Sequence, residues 1–202
     1  MNKVLHGDCI ELMQSLDDGS VDCVLCDLPY GLTDNDWDSV IPLQPLWEQY
    51  SRVVKPEGKI ILFGSQQFTH DLIASNRDRL LYPTLVWSKP DCNFMSIHED
   101  ILVFSNTDRE SKRNHFAVPN TVLRYHRVPH PRLHYAEKPL KLIEHLLEVF
   151  TKESDVVLDN ACGSGTTLVA AMNLRRSCIG IEKEERFYTI SLNRMVAFGN
   201  QN

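Results

Sequence analysis

The sequence predicts an α/β protein with a mostly parallel sheet and helices on both faces. Short apolar or β-branched runs alternate along its 202 residues with amphipathic helical patterns, and this alternation is typical of parallel strands joined by helical crossovers. The chain is long enough to bury one sizeable core but too short for two ordinary domains. We therefore predict a single domain over residues 1–202.

Six strands and five helices follow from the residue pattern. The predicted strands are apolar or β-branched runs bounded by turn residues, at 22–27, 59–64, 81–87, 101–105, 155–159 and 177–181. The predicted helices carry apolar residues on one face, at 9–16, 43–54, 138–150, 165–174 and 183–198. Because only a loop separates the third strand from the fourth, we expect these two to form an antiparallel pair at the edge of the sheet.

Composition narrows the class of protein. No apolar run approaches the roughly 18 residues of a membrane span, and the polar residues Gly7 and Asp8 interrupt the start before a signal peptide could form. We expect a soluble, cytoplasmic protein with reduced cysteines. Cys23 and Cys26 have the spacing of a zinc-binding pair, but no second Cys/His pair accompanies them. We interpret both as buried strand residues and predict no metal site.

A glycine turn follows the fifth predicted strand, with the sequence Asp159-Asn160-Ala161-Cys162-Gly163-Ser164-Gly165-Thr166-Thr167. Its two glycines let the backbone approach a ligand closely. No lysine follows them, as a phosphate-binding loop would require, and Leu168 replaces the third glycine of a dinucleotide fingerprint. An NAD-dependent oxidoreductase is therefore disfavoured. A tight strand-to-helix connection without a ligand remains the alternative.

Two acids extend the interpretation of this turn. Glu182 ends the next strand, about 20 residues on, where a carboxylate accepts hydrogen bonds from ribose hydroxyls. Asp159 and Asn160 stand at the strand tip, where they can order the turn or receive a ligand ammonium such as that of a methionine moiety. Together these residues indicate a nucleoside-containing ligand without a pyrophosphate.

A second turn, Asp27-Leu28-Pro29-Tyr30-Gly31, ends the first predicted strand. An exocyclic ring amine is a poor nucleophile because its lone pair is delocalised. Asp27 and a neighbouring backbone carbonyl could accept its two N–H bonds and localise that pair. Pro29 fixes the backbone, and Tyr30 offers a face on which a base rotated out of a duplex can stack. The alternative is an ordinary turn in which Asp27 caps an amide and Tyr30 packs.

The stretch from Ser105 to Lys138 is basic in an otherwise acidic chain. It holds seven Lys or Arg residues against three acids, whereas the whole chain has a net charge of −6. Such a local excess of positive charge suits DNA phosphates and base edges. A solvated polar loop is the alternative. The residues predicted to contact DNA are Arg109, Lys112, Arg113, Arg124, Arg127 and Arg132.

The two turns together resemble the catalytic and cofactor motifs of amino-methylating DNA methyltransferases. The catalytic motif comes first, as in the β group of that family. The resemblance therefore implies a circularly permuted Rossmann-like methyltransferase fold, with a seven-stranded sheet and one antiparallel edge strand, and S-adenosylmethionine as cofactor. Further matches are Gly7-Asp8-Cys9, Phe63-Gly64-Ser65, and His134 with Glu137-Lys138-Pro139-Leu140. Trp37-Asp38 and Trp47 resemble residues found in phage and prophage members of that family.

The resemblance also implies roles for individual residues. Those implied in catalysis are Asp27, Pro29 and Tyr30. Those implied in cofactor binding are Asp8, Lys138, Pro139, Asp159, Ala161, Gly163, Gly165, Thr166 and Glu182, with Lys138 and Pro139 near the cofactor carboxylate. The alternative for Asp8 is that it is only the N-cap of a helix. The alternative for Lys138 and Pro139 is that Pro139 lies in the first turn of a helix and Lys138 is solvated.

The predicted function is site-specific methylation of the N6 amine of a flipped-out adenine in double-stranded DNA. Within the family an opening Asp implies adenine, whereas Ser there accompanies cytosine N4 methylation. Leu28 stands where the commonest pattern has a second proline. The inserted region 106–134 is short for target recognition, which suggests few base contacts. We also expect an isologous homodimer. The competing hypothesis is a binding protein that retains the fold without catalysis.

Overall fold

The structure is a computed structural model that describes residues 2–32, 38–91, 97–107, 120–134 and 136–199. Within these ranges eight strands form one sheet. They are β1 (Lys3–His6), β2 (Val21–Cys26), β3 (Val54–Gly64), β4 (Leu80–Ser88), β5 (His98–Ser105), β6 (Val122–Arg124), β7 (Val156–Asp159) and β8 (Ser177–Glu182).

The strand order is β1-β8-β7-β2-β3-β5-β4-β6. All neighbouring pairs are parallel except those of β5, which is antiparallel to both β3 and β4. The predicted fold class and the antiparallel pairing of β4 with β5 are thereby confirmed. Two details differ. The described sheet has eight strands rather than seven, because the short β6 adds to β4, and the β4–β5 hairpin folds back so that β5 lies inside the sheet.

The described ranges contain six α-helices, of which the first five connect strands and the last follows β8: α1 (Cys9–Met13), α2 (Leu43–Val53), α3 (Gln66–Ser75), α4 (Leu140–Phe150), α5 (Thr166–Asn173) and α6 (Glu185–Gly199). The prediction omitted α3, whose buried face consists of Phe68, Thr69 and Leu72. Helix α4 begins two residues later than predicted because Pro139 has an extended ψ of 127°. None of these helices combines the length and apolar character needed to cross a membrane.

The strands bury side chains on both faces because residues alternate in direction along a strand. In β2, Val24 and Cys26 pack into the core beneath α1, α2 and α3. Cys23 and Leu25 of the same strand pack on the opposite face, beneath α4 and α5. Helices therefore cover both faces, which explains why the central strands have near-continuous apolar sequences.

The crossovers change face between β7 and β2. These strands are parallel neighbours, with Cys23 opposite Val157 and Val24 opposite Leu158. The chain leaves β2 towards β3 through α2 on one face, and leaves β7 towards β8 through α5 on the other. A crevice forms beyond the carboxyl ends of strands at such a switch point. Both predicted turns lie at this place.

Candidate active site

One cavity of about 530 Å³ occupies the crevice and joins the two turns. The predicted residues that line it come from both turns, from the start of α1, from the segment before α4 and from the end of β8. They are Asp8, Asp27, Pro29, Tyr30, Arg127, Arg132, Lys138, Asp159, Ala161, Gly163, Thr166 and Glu182. The fold therefore brings the predicted catalytic and cofactor residues to a single site.

Three predicted residues do not line the cavity. The carbonyl of Pro139 accepts the Leu142 N–H at 3.0 Å at the start of α4. Gly165 has a φ of +81°, and a Cβ there would lie 2.9 Å from Cβ of Ser191, so this glycine allows α6 to pack closely. Arg124 is exposed on β6. The predicted residues Arg109, Lys112, Arg113 and Trp37 lie outside the described residues.

The glycine turn is fastened by the carboxylate of Glu182. Its Oε2 accepts the Gly163 N–H at 2.7 Å, and its Oε1 accepts the Glu184 N–H at 2.8 Å. Gly163 itself has a φ of +51°, which an ordinary side chain rarely adopts. Burial raises the pKa of Glu182. The carboxylate thus shapes the turn while it remains on the cavity wall.

Asp159 lies buried at the base of the same turn. It accepts the Ala161 N–H at 3.3 Å and hydrogen bonds from the side chains of Thr167 and Cys26. Burial nevertheless raises the pKa of Asp159 to about 6. No Lys or Arg of the described residues forms an ion pair with Asp159 or Glu182. This end of the cavity carries negative charge without a cationic partner.

Asn160 adds a buried amide to this end, and its N–H donor is not satisfied by an oxygen of the described residues. Its Oδ1 accepts the Tyr50 hydroxyl at 2.5 Å. Its buried Nδ2 meets no acceptor oxygen within the described part of the chain. A buried donor of this kind favours a ligand that brings an acceptor. Two carboxylates and an amide donor suit S-adenosylmethionine, which has a cationic sulfonium, an ammonium, a carboxylate and ribose hydroxyls.

Asp8 and Arg194 stabilise the backbone around the cofactor end of the cavity. Asp8 is the N-cap of α1, with Oδ1 accepting the Ile10 N–H at 2.9 Å, so the N-cap reading is correct, although Asp8 also lines the cavity. Arg194 of α6 was not predicted. Its Nη1 donates to the Ser164 carbonyl at 2.8 Å and lies 3.2 Å from Glu137. It ties the turn to the segment before α4.

The catalytic turn is held by Asp38, another residue that the sequence did not reveal as functional. Its Oδ1 accepts the N–H groups of Tyr30 and Gly31, each at 2.9 Å, and its Oδ2 accepts that of Leu32 at 2.9 Å. The Tyr30 ring stacks on Phe68 with 4.9 Å between ring centroids. These contacts fix the backbone that presents Asp27 and Pro29 to the cavity.

The side chain of Asp27 has two partners. Its Oδ1 accepts the Tyr30 hydroxyl at 2.8 Å, and its Oδ2 pairs with the ammonium of Lys138. Burial raises the pKa of Asp27, and the charge of Lys138 opposes this rise. Burial and the nearby Asp27 raise the pKa of Tyr30 well above its usual value, so the phenol stays neutral. Lys138 therefore contacts the catalytic turn.

Lys138 also belongs to a longer set of ion pairs. Its Nζ lies 3.1 Å from Glu99 Oε2, and Glu99 Oε1 accepts from Lys89 Nζ at 2.6 Å. The sequence analysis missed Lys89 and Glu99. The only signal was the predicted pairing of the two strands, because the register that brings Trp87 opposite Glu99 is seen only in the structure.

The cysteines of β2 have no ligand role in the described structure. Cys23 and Cys26 are buried on opposite faces of the sheet, and burial raises the pKa of both thiols. Within the described residues no group of three or more His, Cys, Asp or Glu side chains is arranged to hold a metal ion.

The switch-point crevice, the glycine turn and the facing carboxylate define an α/β enzyme that binds a nucleoside-containing cofactor next to a reacting group. A protein-family model described as DNA methylase, for N6 and N4 methyltransferases, matches residues 21–193, and the chain belongs to that family. The predicted amino-methylating DNA methyltransferase and its cofactor S-adenosylmethionine are thereby confirmed.

Known proteins are similar over nearly the whole chain. The Type II methyltransferase M.HindIII of Haemophilus influenzae is 23% identical over 291 residues, covering 95% of this chain and 94% of the relative. The PvuII cytosine-N4-specific DNA methyltransferase has a TM-score of 0.79 and 17% identity over 96% of this chain and 86% of its own. The M1.HpyAVI–SAM complex has a TM-score of 0.74 and 23% identity over 96% and 99%. Both structures share the fold.

Proposed function

We propose that this protein transfers the methyl group of S-adenosylmethionine to the N6 amine of adenine in double-stranded DNA. The observation that supports this most directly is the position of Asp27, whose carboxylate lies on the same cavity as the glycine turn. The proposal goes beyond the family, which comprises both N6 and N4 methyltransferases. Asp27 at the head of the catalytic motif favours adenine.

Asp27 retains the capacity to bind the target amine. An ionised carboxylate offers about four acceptor positions, and Tyr30 and Lys138 use two of those on Asp27. A further position can accept one N–H of the amine, and the carbonyl of Leu28 or Pro29 the other. The nitrogen lone pair is then localised and directed at the methyl group.

S-adenosylmethionine supplies a methyl group bonded to a sulfonium. Asp27 and the carbonyl of Leu28 or Pro29 would hold the amine nitrogen towards that methyl group. The cofactor would leave as a neutral thioether, and the methylated amine would release one proton to solvent. Asp159, Glu182 and the Asn160 amide would hold the cofactor. Gly163 would let it approach the backbone, with Asp8, Ala161 and Thr166 on the surrounding wall. Gly165 and Pro139 would act from behind that wall.

The basic region 106–134 is proposed as the segment that contacts DNA. Arg127 and Arg132 line the cavity, which supports a role for both in contacting phosphates that flank a rotated base. Arg124, Arg109, Lys112 and Arg113 are proposed as further phosphate contacts. A homodimer would supply a second copy of this short region and extend the DNA surface.

Incubation with labelled S-adenosylmethionine and plasmid DNA, followed by digestion to nucleosides and mass spectrometry, tests the proposal. We expect N6-methyldeoxyadenosine, formed on duplex and in lower yield on single strands. N4-methyldeoxycytidine would contradict the choice of base. No transfer by protein that calorimetry shows to bind the cofactor would contradict the activity itself. Sedimentation at several concentrations tests the dimer.

A further inference from the structure

Four side chains of alternating charge form a buried line from the hairpin of β4 and β5 to the catalytic turn. The order is Lys89, Glu99, Lys138, Asp27, and we call it the ion-pair chain. Its side chains are between 8% and 21% exposed. Lys89 and Glu99 line the same cavity as Asp27. Its two cations and two anions are balanced.

Aromatic rings restrict where the two ammonium groups can lie. The Lys138 Nζ is 5.0 Å from the centroid of the Phe63 ring, and the Lys89 Nζ is 4.8 Å from that of the Trp87 ring. A cation near an aromatic ring gains electrostatic stabilisation. Each ammonium is therefore held by a ring and by at least one carboxylate. Lys138 cannot leave Asp27 for solvent without losing both contacts.

The charges in the line depend on one another. Burial alone would raise the pKa of Glu99, but Lys138 and Lys89 together lower it below the usual value. Burial would likewise lower the pKa of Lys138, yet Asp27 and Glu99 raise it. Without Lys89, Glu99 would be a buried anion that competes with Asp27 for the single ammonium of Lys138.

We propose that Lys89 is a positioning residue for methyl transfer: it neutralises Glu99, so that the ammonium of Lys138 stays on Asp27 and that carboxylate remains ionised when the target base closes the cavity. This inference rests on the proposed function and deepens it. A base that enters the cavity removes water, and a buried carboxylate without a paired cation would then take up a proton. A protonated Asp27 has fewer acceptor positions for the amine.

The charged and titratable groups around Asp27 come from several elements. The charge of Lys138 lowers the pKa of Asp27 and that of Glu99 raises it, Tyr30 donates to the carboxylate, and Cys26 precedes Asp27 in the chain. Asp159 lies on the neighbouring strand and interacts electrostatically with Asp27. Its pKa of about 6 can contribute to the same acidic limb of a pH profile. A measurement specific to Asp27 is therefore needed beside kinetics.

The test compares Lys89→Met with the double variant Lys89→Met/Glu99→Gln. In the single variant the site keeps one unpaired negative charge, so we expect the acidic limb of kcat/KM to move up by roughly one pH unit. In the double variant the balance is restored and the limb should return towards that of the wild type. Titration of 13C-labelled aspartate by NMR, with the Asp27 signal assigned from Asp27→Asn, should show the same shift and the same return.

Several outcomes would overturn the inference. A uniform loss of activity at all pH values, or a rise in KM for DNA alone, would make Lys89 a structural or phosphate-contacting residue. A double variant that is no better than the single one would exclude charge balance as the cause. Cofactor titration confirms that each variant is folded. If the wild type transfers no methyl group, the proposed function fails, whereas the NMR shift still decides the inference.

Discussion

The carboxylates at the two ends of the cavity have different partners. At the glycine turn, Asp159 and Glu182 are satisfied by backbone N–H groups and hydroxyls, and no described cation pairs with either. At the catalytic turn, Asp27 and Glu99 each pair with a lysine. The first end therefore suits a ligand that brings positive charge, and the second suits a neutral one. A sulfonium cofactor and an uncharged base have these properties.

Burial raises the pKa of carboxylates at both ends, but only at the catalytic turn does a lysine oppose the rise. A carboxylate without a cation is disfavoured by burial, which accounts for the raised pKa of Asp159. A bound ligand cation would remove that penalty. Without the ligand, the buried charge of Asp159 should destabilise the folded protein. The catalytic end is balanced within the chain and should not depend on the cofactor in this way. The predictions below test this contrast.

Asp27→Ala should have the largest effect. Removal of the carboxylate that localises the amine lone pair should lower methyl transfer by about 100-fold or more. Cofactor affinity should hardly change, because Asp27 belongs to the balanced end. Radiolabel transfer and calorimetry measure the two quantities. Asp71→Ala, which removes an exposed carboxylate on α3, is the control and should leave both unchanged. Full activity of Asp27→Ala would refute the proposed role.

Asp159→Asn should change binding and stability in opposite directions. The loss of the negative charge should weaken S-adenosylmethionine binding by roughly 10-fold to 100-fold, the effect of one charged hydrogen bond. The native pKa of about 6 exceeds the reference value of 3.8, so ionisation in the fold opposes stability as pH rises through this range. Without cofactor the variant should therefore be more stable than the wild type above pH 6, by on the order of 2 kcal/mol.

Urea unfolding of the unliganded proteins across the pH range tests whether Asp159→Asn is more stable than the wild type. The advantage of Asp159→Asn should be full above pH 6 and should shrink as pH falls towards the reference value, because the wild-type carboxyl then becomes neutral. An unchanged difference at every pH would mean that packing, rather than charge, separates the two proteins. Equal cofactor affinity would remove the contrast between the two ends.

The catalytic and cofactor turns were predictable because the residue types in each turn indicate its conformation or its chemistry locally. Asp27 and Tyr30 follow a strand, Gly163 has positive φ, and Glu182 ends the next strand. Lys89 and Glu99 lie just outside the predicted strands 81–87 and 101–105, and their role arises only when Lys138, distant in sequence, joins them. Partnership across the sheet is not a local property of the chain.

Packing, rather than local chemistry, determines several further features. Gly165 has the residue type of a ligand-contacting glycine, yet the constraint on it is Ser191 of α6. The role of Asp38 depends on its hydrogen bonds to the backbone of the catalytic turn, which no periodic pattern predicts. The three-residue strand β6 is too short to show alternation. Tertiary contacts decide all three.

Glu182→Gln should have a smaller effect than Asp159→Asn. The amide oxygen can still accept an N–H from Gly163 or Glu184, so the glycine turn should keep its shape. What is lost is the charge and part of the capacity to accept ribose hydroxyls, and we expect S-adenosylmethionine to bind several-fold to about 10-fold more weakly. Unchanged affinity would show that Glu182 serves only to shape the turn.

Arg127→Ala should have the smallest effect, and it tests whether the neutral end of the cavity opens towards DNA. Arg127 Nε lies 3.1 Å from Asp91 Oδ2, and the arginine side chain is 39% exposed. An exposed pair contributes little to stability, so the melting temperature should hardly change. If the guanidinium contacts a phosphate, the slope of log Kd against log salt should fall by about one unit.

Arg175→Ala is the matched control for this measurement. Arg175 forms a surface ion pair with Glu153 at 2.6 Å, and because it precedes β8 it lies at the opposite end of the strands from the cavity. Both variants lose one positive charge, so a general electrostatic effect would lower the two slopes alike. A change confined to Arg127→Ala would place a phosphate at the mouth of the cavity, beside the end whose charges are already balanced and which therefore admits a neutral base.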